Sequence, residues 1–321
     1  MTTSEAREHE VTDVVTRPQL GRLARLRRDR VLVAMCIPGL AALLGFHYLP
    51  LLGNVIAFED YQPFLGIIDS QWVGFEKFAI LFNGDPAFLN AVKNTLVLTL
   101  VQVIFVFPAP ILLALMINSL LSERMRRIVQ NVLYLPHFLS WVVVVAIFQQ
   151  LLGGSGLLNS FLRTRGVDTL DIIGNPDLFI GLLTSQVIWK DSGWATILFL
   201  AALSQVDQSL YEASAIDGAS RARQLLHVTL PALKGVIILL LILRLGDSLN
   251  VGFEQIILQQ KAVGSEASEV IDTYVFNYGI LGSDWGTSAA VGLVKGILAT
   301  ILVIGANKLA HIFGEDGVYR A

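Results

Sequence analysis

The 321-residue chain holds a single cysteine, Cys36. One thiol builds neither a disulfide framework nor a paired-cysteine metal or redox site. Charge is also scarce. Asp, Glu, Lys and Arg make up 15% of the chain, against about 25% in a soluble domain. The five histidines are scattered and form no ligand cluster. There is no G-x-x-x-x-G-K-[ST] loop to cradle a phosphate, no H-E-x-x-H pair and no G-x-S-x-G turn. Gly292-Leu-Val-Lys-Gly296 is only superficially like the first of these, and it lies in an apolar run. These absences leave an enzyme reading with little to stand on. We expect no catalytic residues, no metal site and no cofactor bound by this chain. A net charge of −3 gives no reason to expect nucleic acid as a partner.

What the chain has in quantity is apolar sequence: 54% of residues are hydrophobic and the mean hydropathy is +0.63. A bilayer core of roughly 30 Å needs about 20 apolar residues per helix. Six segments qualify, approximately Val31–Leu52, Leu89–Leu115, Leu133–Leu152, Leu178–Leu203, Leu233–Leu258 and Ala289–Phe313. The expected fold is an all-α membrane protein with six transmembrane helices over residues 31–313. A basic tail, 1–30, precedes them and a short tail, 314–321, follows. Residues 1–30 lack apolar periodicity, so much of that tail is expected to be disordered. The first apolar run is too long for a signal-peptide core and has no A-x-A-like cleavage site, so it is expected to remain as a span. Lys and Arg set the orientation. Fifteen of them lie in the N-terminal tail, around Arg124–Arg127, around Arg221–Lys234 and at the C-terminal end (Lys308 and Arg320), while five lie toward the opposite side. Both termini are therefore expected to be cytoplasmic, in a bacterial inner membrane.

The ionisable residues within the expected spans include Lys190, Asp191, Arg244, Asp247, Glu254 and Lys295. Such residues are costly in lipid and tend to be paired or functional. Lys190 and Asp247 each fall about 16–18 Å below the outer ends of their segments, so a pair near mid-membrane is expected, and Arg244 shares a helix face with Asp247. Lys295 has no acidic neighbour within four positions along its helix. It is expected either to snorkel outward or to meet an anion such as a sugar carboxylate. An ion-coupled secondary transporter is the competing class that these residues support.

The most informative stretch is polar and lies between two spans: Tyr211-Glu-Ala-Ser-Ala-Ile-Asp-Gly-Ala219, then Val228-Thr-Leu-Pro231. A short helix over 210–216 would hold Glu212 in its first turn, where the helix dipole favours an anion. Gly218 would permit a sharp bend. Leu230-Pro231 would stop a second short helix and start the next span. The pattern resembles the cytoplasmic E-A-A-x-x-x-G-x(9)-I-x-L-P loop of binding-protein-dependent ABC import permeases, with Ser214 and Val228 replacing an Ala and an Ile of that pattern. Ile56-Ala-Phe-Glu-Asp-Tyr61, Tyr134-Leu-Pro-His-Phe-Leu-Ser-Trp141, Ile188-Trp-Lys190 and Leu249-Asn-Val-Gly-Phe-Glu-Gln255 are similar to one MalF/LplB-like subgroup. That subgroup serves polysaccharide-derived oligosaccharides, including pectin- and alginate-type uronates.

The resemblance implies the type I ABC importer permease fold and a coupling loop at 205–231. Glu212, Ala213, Asp217, Gly218, Leu230 and Pro231 would meet an ATPase. It also implies partners: a second homologous permease, two ATP-binding cassette ATPases that handle ATP-Mg, an extracytoplasmic solute-binding protein, an oligosaccharide and the lipid bilayer. Sugars present apolar C–H faces and many hydroxyls. Candidates for the substrate path are accordingly Trp141, Trp189, Lys190, Trp194, Asn250, Glu254, Gln255 and Lys295.

Overall fold

The computed structural model describes residues 30–312 together with Gly314 and Gly317. The expected tails, apart from Arg30 and those two glycines, and Phe313 lie outside the described residues. The described chain is almost wholly helical, and its strands are the two-residue pair Glu59–Asp60 and Gln71–Trp72, joined antiparallel. It divides into two units, the described part of the first ending at Asn54 and the second running from Val55.

Five helices are long and apolar enough to cross a membrane: Arg30–Phe58, Pro86–Asn118, Trp141–Thr164, Arg221–Gly246 and Trp285–Ile312. The fourth expected span forms a 28-residue helix, Pro176–Leu203, long enough to cross but too polar to belong to that set. The reason is packing. Thr184, Gln186, Lys190, Ser192 and Thr196 all point into the protein, so this helix is the most internal of those in the second unit.

Boundaries follow local chemistry. Asp85 caps Pro86–Val101 by accepting from the Ala87 and Phe88 N–H groups, and Asn175 caps Pro176–Leu203. In both, proline occupies the first turn, where its missing N–H costs nothing. The third expected span starts later than anticipated. Leu133 and Tyr134 end the amphipathic helix Glu123–Tyr134, and the spanning helix begins at Trp141 behind the Ser140 cap. The fifth expected span, to Leu258, is interrupted. Its helix stops at Gly246, and the turn-forming residues Asp247, Ser248, Asn250 and Gly252 break it before a short helix, Phe253–Ile257.

Three apolar clusters hold the second unit together. Leu81, Phe88, Ala91, Tyr274 and Val291 form one of them. Leu98, Phe179, Leu183, Val251 and Ile256 pack the interrupted region against Pro176–Leu203. Ala114, Phe199, Leu203 and Leu233 close the opposite end. In the first unit, the side chains from Arg30 to Leu52 are all exposed, as suits a rod surrounded by lipid or by a partner.

Candidate coupling segment and translocation face

The polar segment between Pro176–Leu203 and the next span folds as a helix, a bend and a second helix. Gln208–Ile216 is capped by Asp207, whose carboxylate accepts from the Ser209 N–H at 2.9 Å. That backbone bond holds the Asp207 carboxyl below its usual range. Asp207, not Glu212, is the anion at the helix N-terminus. Glu212 lies in the second turn, exposed and without a hydrogen-bond or ion-pair partner among the described residues. Gly218 follows with φ +74°, a conformation that a Cβ disfavours.

Leu230-Pro231 does not stop the second helix. Arg221–Gln224 runs through a π turn, Leu225–Thr229, into Leu230–Gly246 as one 26-residue helix. The wider turn, closed by the Leu230 N–H on the Leu225 carbonyl, accommodates a proline with no N–H to donate. Four residues outside the expected set lock the bend. Tyr211 Oη lies 3.0 Å from Thr229 Oγ1, and Gln224 Nε2 donates to the Tyr211 carbonyl at 3.2 Å and to Ser214 Oγ at 3.0 Å. Ser214, a departure from the alanine of the familiar pattern, is thus an acceptor inside the fold. Ala213, Asp217 and Pro231 are exposed.

A second constellation gathers around the middle of Pro176–Leu203. Lys190 Nζ donates to the His137 carbonyl at 2.8 Å, approaches Asp191 at 3.5 Å and lies 5.5 Å over the Trp141 ring. His137 Nδ1 is 2.9 Å from Asp191 Oδ1, and its ring stacks on Trp194. Trp194 and Phe138 are largely exposed, and Trp189 packs edge-on to Phe148. His137 and Phe138 were not among the residues expected here. The clue lay in Tyr134-Leu-Pro-His-Phe, whose proline directs a tight 3-10 turn that presents both rings.

The expected Lys190–Asp247 pair does not form, because the helix bearing Asp247 ends there and Lys190 is held by His137 and Asp191. Arg244 pairs with the buried Gln102 side chain and not with Asp247. At the break, Thr99 Oγ1 donates to the Ser248 carbonyl at 2.6 Å and Gln102 Nε2 to the Val251 carbonyl at 3.3 Å, which satisfies backbone that the helix no longer serves. Lys295 is not unpaired. It forms an ion pair with Asp272 and donates to Asn250 Oδ1 at 2.6 Å, a tertiary contact that a search along its own helix does not reveal. Asn250 also donates to Asp247, and Glu254 is exposed. Gln255 is fully enclosed, bonded to the Leu183 carbonyl and to Gln186.

These features describe a polytopic helical membrane protein with a polar helix–bend–helix and a group of polar and aromatic side chains along the helix Pro176–Leu203. The chain belongs to the family of binding-protein-dependent transport system inner membrane components, whose model matches residues 106–313. It is an inner-membrane permease component of an ATP-driven importer, which removes the ion-coupled alternative. Among its relatives, the polygalacturonan/rhamnogalacturonan transport system permease protein YteP of Bacillus subtilis (strain 168) is 44% identical, over 99% of this chain and 100% of its own length. Protein LplB of the same organism is 42% identical, over 92% and 93%. Among solved structures, a chain of a bacterial alginate ABC transporter in complex with alginate pentasaccharide-bound periplasmic protein superposes with a TM-score of 0.84. It is 36% identical, over 92% of this chain and 98% of that one.

Proposed function

We propose that this chain is one six-span half of an importer for polysaccharide-derived oligosaccharides, with acidic uronate oligomers as its cargo. The sixth crossing element is Pro176–Leu203, whose 28 residues reach about 42 Å and whose polar side chains are sheltered by neighbouring helices. Both termini then lie on the arginine-rich, cytoplasmic side, as does the segment 205–231. A second homologous permease completes the pathway. Two ATP-binding cassette subunits bind ATP-Mg and receive the coupling segment, and an extracytoplasmic binding protein delivers the sugar. This chain performs no bond chemistry.

The observation that carries the reading is the locked bend. Tyr211, Ser214, Gln224 and Thr229 make Gln208–Ile216 move as one piece with the helix Arg221–Gly246. Glu212, Ala213, Asp217 and Gly218 are left facing outward for an ATPase, while Leu230 and Pro231 lie where the π turn meets the span. Displacement of the docking helix is therefore transmitted to a transmembrane helix, and by linkage a loaded binding protein outside alters ATP turnover inside.

The path follows Trp141, Trp189, Lys190, Trp194, Asn250 and Glu254, with Gln255 bracing the short helix from behind. Exposed Trp194 and Phe138 offer faces for sugar C–H groups, and the His137–Asp191 pair offers hydrogen-bonding partners. Since Lys295 is neutralised by Asp272, the acidic cargo is supported by the polygalacturonan/rhamnogalacturonan transport of YteP and the alginate transport of the solved neighbour. The test is reconstitution of the whole transporter with ATPase stimulation by binding protein loaded with uronate or neutral oligomers. Stimulation by uronates is expected. Stimulation by the neutral sugars alone would overturn the substrate assignment.

A further inference from the structure

A cavity of about 530 Å³ opens where the helix Pro86–Asn118 ends and the helix Arg221–Gly246 begins. Its floor is apolar, made by Leu112, Leu115 and Met116 from the last turns of the first helix. Its rim includes Tyr211, Gln224 and Thr229 of the locked bend, whose polar atoms already satisfy one another. Arg221 is the charged residue that lines it. That side chain is exposed, and its guanidinium has no hydrogen-bond or ion-pair partner among the described residues.

An apolar floor beneath one unpaired guanidinium, at the level where two spans end together, selects its occupant. A soluble anion would pair the charge and leave the floor wet. A wholly apolar molecule would leave the guanidinium unpaired at the mouth. A phospholipid with an anionic headgroup satisfies both, since basic pockets between helix ends at the cytoplasmic interface favour such headgroups and Arg forms charge-assisted bonds to phosphate oxygens. Arg223, in the same short helix as Arg221, adds to the attraction of anionic lipid.

We propose that the cavity binds one anionic phospholipid, its phosphate on Arg221 and an acyl chain along Leu112, Leu115 and Met116. Because its rim is the bend that joins Gln208–Ile216 to the span, the bound lipid braces that bend. Coupling of ATP turnover to transport then depends on anionic lipid in the surrounding leaflet.

The experiment is native mass spectrometry of the assembled transporter released from nanodiscs of equal phosphatidylcholine and phosphatidylglycerol. This readout is independent of which sugar is carried. Wild type is expected to retain one phosphatidylglycerol per copy of this chain. Arg221→Gln should lower that retention about fivefold, and Met116→Trp, which fills the floor without changing charge, should lower it as well. Arg221→Lys should keep most of it, and Arg124→Gln, outside the cavity, should leave it unchanged. ATPase activity of wild type should rise when phosphatidylglycerol is added to phosphatidylcholine nanodiscs, and the rise should vanish in Met116→Trp. Equal retention of both lipids by wild type, unchanged retention in Met116→Trp, or crosslinking of a Met116→Cys variant to an ATPase subunit would each overturn the proposal. If Arg221→Gln fails to assemble, the wild-type and Met116→Trp measurements decide.

Discussion

The His137 imidazole lies flat against the Trp194 indole, with ring centroids 4.8 Å apart and planes 5° from parallel. The contact joins a 3-10 turn to the most internal helix of the second unit. Asp191 holds the imidazole from the same helix as Trp194. The indole is therefore fixed in orientation while Trp194 stays 44% exposed.

Trp194→Ala is expected to lower oligosaccharide uptake by up to about tenfold, the size of an aromatic contact beyond simple burial, without loss of assembly. Co-purification of the partner subunits alongside a vesicle uptake assay checks this. Parallel loss of assembly and uptake would assign Trp194 to packing.

Glu212→Lys should abolish uptake while membrane insertion is retained, because the exposed carboxylate has no role inside the chain. Gly218→Val should act in the same direction, since a β-branched residue at φ +74° is strained by roughly 1–2 kcal/mol. The measurement is basal against binding-protein-stimulated ATPase activity. Normal stimulation in Glu212→Lys would exclude it as the coupling group.

Lys295→Met should destabilise the protein by about 1–3 kcal/mol, because Asp272 is left half-buried without its cation. The exchanged pair Lys295→Asp with Asp272→Lys should recover part of the loss. Thermal unfolding in detergent, with both single variants and the double variant, reads the coupling directly.

The segment 59–77 should be indifferent to pH across the neutral range and loosen in acid. Lys77 bonds Asp60 at 3.2 Å and Asp284 at 3.3 Å. Burial alone would raise the Asp284 carboxyl, but hydrogen bonds from Thr287 and the Lys77 ammonium outweigh it and hold the group below its usual range. Burial likewise pulls the Lys77 ammonium down, and its two carboxylates more than reverse that. A lowered carboxyl contributes stability above its ordinary pKa and loses it as pH falls through the lowered value. A raised ammonium contributes below its ordinary pKa and loses it as pH rises through the raised one. Protection of the amides of residues 59–77, taken after dividing out the intrinsic pH dependence of exchange, should therefore be constant between about pH 5 and 9 and fall below about pH 4. A fall in protection already at neutral pH would show that these ties do not hold the segment.

The spans were legible because a bilayer demands length and apolarity, both properties of consecutive residues. Val31–Leu52 and Leu89–Leu115 were recognised for that reason, and the second helix simply extends past the expected ends to Asp85 and Ser119. The bend in the segment 205–231 was legible because Gly218 acts locally, whereas the cap was not: Asp207, and not the expected Glu212, holds the helix N-terminus. Tertiary structure alone decided what the polar residues inside the helices do. Lys295 finds Asp272 across 23 residues, Arg244 finds Gln102 across 142 and Lys190 finds the His137 carbonyl across 53. A sequence displays how many charges a membrane protein must neutralise. Which group pairs with or hydrogen-bonds each is settled when helices distant in sequence pack together, because in a low-dielectric interior the stable arrangement is the one that leaves no charge without a partner.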